Sequence, residues 1–142
     1  MIDPLVLFAE DDNEDWMLVQ DAFEGCPLPH IERVKDGEEL LERLQDSTQA
    51  LPHVIMLDLK MPRMDGPEVL EVIKNDPRFK HIPIIVMTTS KLESDIVRSY
   101  TAGASSYVVK PVTFEAMRKA MSDLHYYWTQ VVEVPRCNEG VS

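Results

Sequence analysis

Residues 5–12 read Leu-Val-Leu-Phe-Ala-Glu-Asp-Asp, five apolar residues that run directly into three acids. An apolar run of this length favours a buried strand over a helix, which needs a longer segment to form an apolar face. The pattern recurs at residues 54–58, Val-Ile-Met-Leu-Asp, and at residues 82–90, Ile-Pro-Ile-Ile-Val-Met-Thr-Thr-Ser. These three segments predict strands buried in a sheet, each ending in polar side chains.

Segments with helical periodicity alternate with such strands along the chain. The predicted strands are residues 5–9, 30–34, 54–57, 82–87 and 107–109, and the predicted helices are about residues 14–24, 38–44, 67–75, 92–102 and 113–132. Gly25, Pro27 and Pro29 are predicted to end the first helix. Gly103 is predicted to cap the fourth helix in a left-handed conformation. Five strands that alternate with five helices imply βαβ units, so the predicted fold is a parallel sheet with helices on both faces.

The last predicted helix carries one continuous apolar stripe. The stripe is formed by Phe114, Met117, Met121, Leu124, Trp128 and Val131. Tyr126, Tyr127 and Val132 lie partly off it, and an exposed aromatic face at the end of a helix is typical of an interface. The alternative is that both tyrosines pack against the C-terminal tail.

The composition indicates one acidic domain. Of the 142 residues, 14 are Lys or Arg and 25 are Asp or Glu, which gives a net charge of −11 and disfavours binding to nucleic acid or anionic membranes. No apolar run approaches the ~20 residues of a membrane helix, and the N-terminus does not have the pattern of a secretory signal. Cys26 and Cys137 lie far apart without zinc or disulfide spacing, so a cytoplasmic location is expected.

Polar residues follow four of the predicted strands. They are Glu10 and Asp11, Asp58, Thr88, and Lys110. The carboxyl ends of parallel strands share one edge of a sheet, and three carboxylates brought together there require raised pKa values or a cation. Oxygen ligands of this kind suit Mg²⁺, and a neighbouring lysine and hydroxyl suit a phosphoryl group that a carboxylate could accept.

The acids of residues 10–15 leave an alternative open, because five acids in six residues form either a solvated loop or a cation site. Asp12, Glu14 and Asp15 are expected to form a solvated helix start that favours the helix dipole rather than to serve as ligands. A calcium loop is disfavoured because the spaced acids and the glycine of an EF-hand are missing.

Four motifs together resemble the receiver domain of response regulators in two-component signalling, over about residues 3–132. The motifs are LVLFAEDD at residues 5–12, MLDLKMPRMDG at 56–66, VMTTS at 86–90 and GASSYVVKP at 103–111. The resemblance implies an α/β, flavodoxin-like doubly wound (βα)5 fold, with a five-stranded parallel sheet of order 2-1-3-4-5 and helices on both faces. It also implies a receiver domain at residues 1–135, a short C-terminal tail at 136–142 and no output domain.

The resemblance implies a role for each strand-end residue. Asp58 would accept a phosphoryl group from the phosphohistidine of a sensor histidine kinase. The implied Mg²⁺ ligands are Glu10, Asp11, Asp58 and the backbone carbonyl of Lys60. The residues implied to contact the phosphoryl group are Thr88 and Lys110, and the implied switch pair is Thr88 and Tyr107. Pro111 would follow a cis peptide bond.

Three further segments resemble stand-alone response regulators associated with phytochromes. They are residues 73–83, 111–115 and 126–135. The implied partners are a sensor histidine kinase, of phytochrome-like type, and a downstream protein or a phosphotransfer protein. A homodimer through the fourth helix, fifth strand and fifth helix is also expected.

Two other functions compete with this signalling role. A Mg²⁺-dependent phosphatase with an aspartyl nucleophile usually has an acid two residues after the nucleophile, where this chain has Lys60. A pseudo-receiver scaffold is expected to have lost a site residue, and every site position of the motif is filled. The expected protein is therefore a phosphorylated switch that turns over no separate substrate, rather than an enzyme.

Overall fold

The computed structural model describes residues 4–24 and 30–135. The strands are β1 (Leu5–Ala9), β2 (His30–Val34), β3 (Val54–Leu57), β4 (Ile84–Thr88) and β5 (Ser106–Val109). The helices are α1 (Asn13–Phe23), α2 (Gly37–Gln45), α3 (Gly66–Lys74), α4 (Glu93–Ala102) and α5 (Phe114–Tyr126), and a π-helical turn (Tyr127–Val131) follows α5. The predictions for Gly25, Cys26, Pro27, Pro29, Cys137 and the tail at 136–142 concern residues outside the described ones.

The five strands form one parallel sheet in the order β2-β1-β3-β4-β5, which confirms the predicted topology. The register aligns the carboxyl ends of neighbouring strands, since Ala9 pairs with Leu57 and Thr88 pairs with Val109. The residues that follow these positions therefore meet at one edge of the sheet.

Alternating side chains of each strand enter two separate cores. In β1, Val6 and Phe8 pack into one cluster, whereas Leu7 and Ala9 pack into the other. This is the expected two-residue period of a strand that is covered on both faces. None of the helices in the described part of the chain is both long and apolar enough to cross a membrane.

The strand and helix boundaries agree with the sequence prediction to within one or two residues, except at the end of the chain. β4 begins at Ile84 rather than at residue 82. Gly103 ends α4 with φ of 115°, the predicted left-handed cap. A side chain there would lie 2.7 Å from the Lys74 side chain, so glycine also allows α3 and α4 to approach each other.

The predicted continuous stripe of the last helix is wrong at both ends. Met117, Met121 and Trp128 are buried, but Phe114 is 43% exposed and Val131 is 59% exposed. Residues 112–116 are all exposed, so the first turn of α5 lies outside the core. At the other end, the Val132 amide donates to the Tyr127 carbonyl at 3.0 Å, an i to i+5 bond that widens the turn and rotates residue 131 away from the core.

Candidate functional site

Three carboxylates converge at the carboxyl edge of the sheet. Glu10 and Asp11 follow β1 and Asp58 follows β3, and each offers an oxygen within 4.8 Å of the oxygens of the other two. Glu10 and Asp58 are buried, whereas Asp11 is exposed. These three residues, called the acidic triad below, fit a hard divalent cation because they supply charged oxygen ligands on an open side of the site.

Lys110, which follows β5, lies against this triad with its ammonium buried. Its Nζ lies 2.7 Å from Glu10 Oε1, 2.9 Å from Asp58 Oδ2 and 2.7 Å from Asp15 Oδ2. Burial alone would lower the pKa of Lys110, but hydrogen bonds to the three carboxylates outweigh it and raise the pKa above the ordinary value. The lysine is therefore a permanent cation at neutral pH.

Asp15 is the residue of this group that the sequence analysis missed, because it was expected to be a solvated helix residue. It is the third residue of α1, and its side chain is 36% exposed. The short connection between β1 and α1 could have indicated this contact, because α1 begins four residues after β1 ends. Helical side chains tilt toward the amino terminus, so the first turn of such a helix points back to the strand end.

Glu10 is fixed by contacts on both its side chain and its backbone. Its Oε2 accepts a hydrogen bond from the Asp12 amide at 3.1 Å, and its carbonyl accepts one from Arg33 Nε at 2.8 Å. Burial raises the pKa of Glu10, and the hydrogen bond from Lys110 opposes that rise. The site thus holds more negative charge than its single lysine neutralises, which favours a cation.

Asp58 uses both of its carboxylate oxygens. Oδ2 accepts from Lys110, and Oδ1 accepts from the Lys60 amide at 3.1 Å. Gly66 at the start of α3 supports this loop, since its amide donates to the Leu59 carbonyl at 3.0 Å and a Cβ there would lie 2.7 Å from Leu59 Cα. Lys60 thus contacts Asp58 through its amide, and metal binding by its carbonyl stays a prediction.

The predicted switch residues are Thr88, at the carboxyl end of β4, and Tyr107, in β5. Thr88 is fully buried, and its hydroxyl has no hydrogen-bond partner within the described part of the chain. Tyr107 does not bond to Thr88 here; its hydroxyl donates to the Ser90 carbonyl at 3.0 Å. Ser90 in turn donates to Asp95 Oδ2 at 2.5 Å and accepts from the Leu92 amide at 3.2 Å. The loop between β4 and α4 is therefore held by Ser90 and Tyr107.

The expected cis bond before Pro111 is wrong, because the residues described contain no cis peptide bond. A trans bond is the lower-energy form for an X–Pro pair by about 0.5–1 kcal/mol. Lys110 reaches all three of its carboxylates with the trans bond in place.

The chain is similar in sequence to known regulators over most of its length. The family model for the response regulator receiver domain matches residues 6–122. The probable methanogenesis regulatory protein FilR2 of Methanothrix harundinacea is 37% identical over 128 residues, which cover 87% of this chain and 83% of the relative. The response regulator Rcp1 of Synechocystis sp. is 32% identical over 136 residues, which cover 92% of each protein.

Solved structures show the same relationship in three dimensions. The Mn²⁺-bound form of Rcp1 matches with a TM-score of 0.86 and 30% identity, over 94% of this chain and 99% of that chain. The phosphorylated cyanobacterial phytochrome response regulator RcpA matches with a TM-score of 0.88 and 31% identity, over the same shares. Because the family model spans most of the chain and these relatives align along most of their length, the chain belongs to the response regulator receiver domain family.

Proposed function

We propose that this protein is a response regulator that accepts a phosphoryl group on Asp58 with Mg²⁺ held by the acidic triad. The observation that carries the proposal is the convergence of a buried carboxylate, Asp58, with a buried ammonium, Lys110, at 2.9 Å beside two further acids. The relative solved with Mn²⁺ and the relative solved in phosphorylated form support it.

The chemistry is transfer of a phosphoryl group between two nucleophiles. A carboxylate oxygen of Asp58 forms a bond to phosphorus while the bond from phosphorus to the kinase imidazole nitrogen breaks, and the nitrogen keeps the electron pair. Bound Mg²⁺ would neutralise charge on the phosphoryl oxygens. Lys110 donates a hydrogen bond to one of those oxygens and keeps its proton. The protein turns over no separate substrate, so it acts as a switch rather than as an enzyme in the usual sense.

Thr88 supplies the link from the phosphoryl group to the surface. A buried hydroxyl without a partner costs about 1–3 kcal/mol, and a phosphoryl oxygen on Asp58 would accept its hydrogen bond. Movement of Thr88 toward that oxygen changes the space beside Tyr107, whose hydroxyl holds the β4–α4 loop at Ser90. The output is then a changed protein-binding surface on α4 and β5.

The partners follow from the relatives and from the surface. The similarity to phytochrome response regulators suggests a phytochrome-like histidine kinase as phosphodonor and a downstream protein or phosphotransfer protein as target. The α4 face is apolar, with Leu92 65% exposed, Val97 53% exposed and Tyr100 49% exposed. We assign this face to a homodimer through α4, β5 and α5.

The experiment is intact-mass measurement after incubation with Mg²⁺ and acetyl phosphate, for wild type and Asp58→Asn. One added phosphoryl group in wild type alone is expected, with no gain when EDTA replaces Mg²⁺. Light scattering on the same samples tests the dimer. A wild-type protein that gains no mass, and that also shows no response to a beryllium fluoride mimic, would reject phosphorylation and leave the scaffold function.

A further inference from the structure

Three carboxylates in the described part of the chain contact Lys110, and of these Asp15 alone is neither the proposed phosphoacceptor nor a member of the acidic triad. Its Oδ2 lies 2.7 Å from Lys110 Nζ, as close as Glu10 and closer than Asp58. Glu10 and Asp58 have a second use as candidate cation ligands. The contact with Asp15 is therefore the one that can persist unchanged when a cation and a phosphoryl group enter the site.

The start of α1 holds Asp15 in a fixed position. Asp12 caps the helix, and its Oδ1 accepts from the Glu14 amide at 2.8 Å and from the Asp15 amide at 3.0 Å. The next residue, Trp16, packs on Phe8 with 5.4 Å between ring centroids. The Asp15 carboxylate thus extends from a backbone that is anchored on both sides.

Lys110 needs such an anchor because of its own chemistry. An ammonium has three N–H donors on a flexible four-carbon stem. All three donors are directed at carboxylates here, one each on Glu10, Asp15 and Asp58. When Asp58 carries a phosphoryl group, one N–H of Lys110 donates to a phosphoryl oxygen and another still donates to Asp15. The second hydrogen bond limits rotation of the Lys110 side chain and its movement away from Asp58.

We propose that Asp15 is a positioning residue that holds the Lys110 ammonium at Asp58 during phosphoryl transfer. The inference rests on the proposed function of Asp58. With acetyl phosphate as donor, an Asp58 oxygen bonds to phosphorus, the bond from phosphorus to the acetyl oxygen breaks, and acetate leaves with the electron pair. Asp15 and Lys110 keep their charges throughout.

The kinetic test compares Asp15→Asn with Glu14→Gln, which removes the same charge from the same helical turn at an exposed position that does not contact Lys110. Two phosphodonors are used at saturating Mg²⁺, acetyl phosphate as a dianion and phosphoramidate as a monoanion. Asp15→Asn is expected to slow phosphorylation by about fivefold or more with both donors, because a misplaced group costs rate whatever the donor. Glu14→Gln is expected to stay within about twofold of wild type, and Asp15→Glu to recover most of the rate.

Three kinetic outcomes would overturn the proposal. If Asp15 acts only through its negative charge, Asp15→Asn will accelerate the reaction, and more so with acetyl phosphate than with phosphoramidate. If Asp15 instead supports the cation, Asp15→Asn will be slow only at subsaturating Mg²⁺ and will match the wild-type rate at saturation. An unchanged rate also rejects the role.

A stability measurement in EDTA tests the contact without any reaction. Urea unfolding of Asp15→Asn, Lys110→Met and the double variant is expected to show a coupling of about threefold or more in the unfolding equilibrium constant. If the free-energy changes of the two single variants simply add in the double variant, Asp15 and Lys110 are not coupled. That result would reject the positioning role of Asp15 and leave the proposed function of Asp58 standing. A wild-type protein that gains no phosphoryl group from either donor and does not respond to beryllium fluoride would overturn the proposed function and this inference together, so the two failures are distinguishable.

Discussion

At the scale of single residues, Lys110 balances an excess of negative charge. Four acids lie at the site, counting Asp11 and Asp15 beside Glu10 and Asp58, and one ammonium faces three of them. Because hydrogen bonds to carboxylates raise the pKa of Lys110 above its ordinary 10.5, the stabilisation by its charged form is fully present at neutral pH. On the alkaline side it is lost as the pH rises above 10.5 and through the raised pKa.

Lys110→Met is therefore expected to destabilise the protein at neutral pH. Removing one partner of a buried ion pair costs about 3–5 kcal/mol, and the open side of this site reduces the expected loss to about 2–3 kcal/mol. Urea unfolding in EDTA at pH 7.5 measures the loss. Since a divalent cation can replace the missing positive charge, Mg²⁺ is expected to restore part of it.

The control for this variant is Lys119→Met, which removes an equal charge from an exposed pair with Asp123 on α5. An exposed pair of this kind contributes about 0.3–0.5 kcal/mol, so the control is expected to unfold almost like wild type. Equal losses in the two variants would show that Lys110 does not stabilise the acidic site.

At the scale of elements, α3 begins with a capping box that directly follows the loop from Asp58. Asp65 Oδ1 accepts from the Glu68 amide at 3.0 Å, and Glu68 Oε1 accepts from the Asp65 amide at 3.5 Å. The sequence predicted a helix from about residue 67. The structure adds that Asp65 caps this helix and so fixes where the loop from Asp58 ends.

Asp65→Ala is expected to lower the free energy of unfolding by about 1 kcal/mol, the usual effect of losing a helix N-cap. Asp65→Asn keeps a side-chain acceptor and is expected to retain most of that stability. Chemical denaturation of both variants beside wild type measures the difference. If the two substitutions lower stability equally, the effect comes from lost charge rather than from the cap.

The strand-end residues could be predicted because each follows a short apolar run, and parallel strands end at one edge of the sheet. Their partners could not be predicted in the same way. Acids at a helix start usually serve the helix dipole. The short connection from β1 to α1 places the first turn of α1 near the strand end, but it does not by itself separate Asp15 from Glu14. Likewise, the π-helical turn changes the number of residues per helical turn over only five residues. An apolar stripe predicted at 3.6 residues per turn therefore continues through this segment to Val131.

At the scale of the whole molecule, the fold places charge where a cation can stabilise the native state. The acidic triad forms only when β1 and β3 pair, so an unfolded chain offers no comparable site. A ligand that binds only the folded protein stabilises it by about 2.7 kcal/mol at a concentration 100 times its dissociation constant. For a protein with a net charge of −11, neutralising a local cluster also relieves self-repulsion.

Mg²⁺ is accordingly expected to raise the melting temperature of wild type progressively with concentration, and EDTA to reverse the change. Asp11→Asn tests whether the triad is responsible, because Asp11 is exposed and its loss removes a candidate ligand without opening a cavity. The variant is expected to lose most of the Mg²⁺ dependence, whereas Glu14→Gln, equal in charge and outside the triad, is expected to retain it. If Asp11→Asn and wild type respond alike, Mg²⁺ acts by general screening, and the triad is not its site.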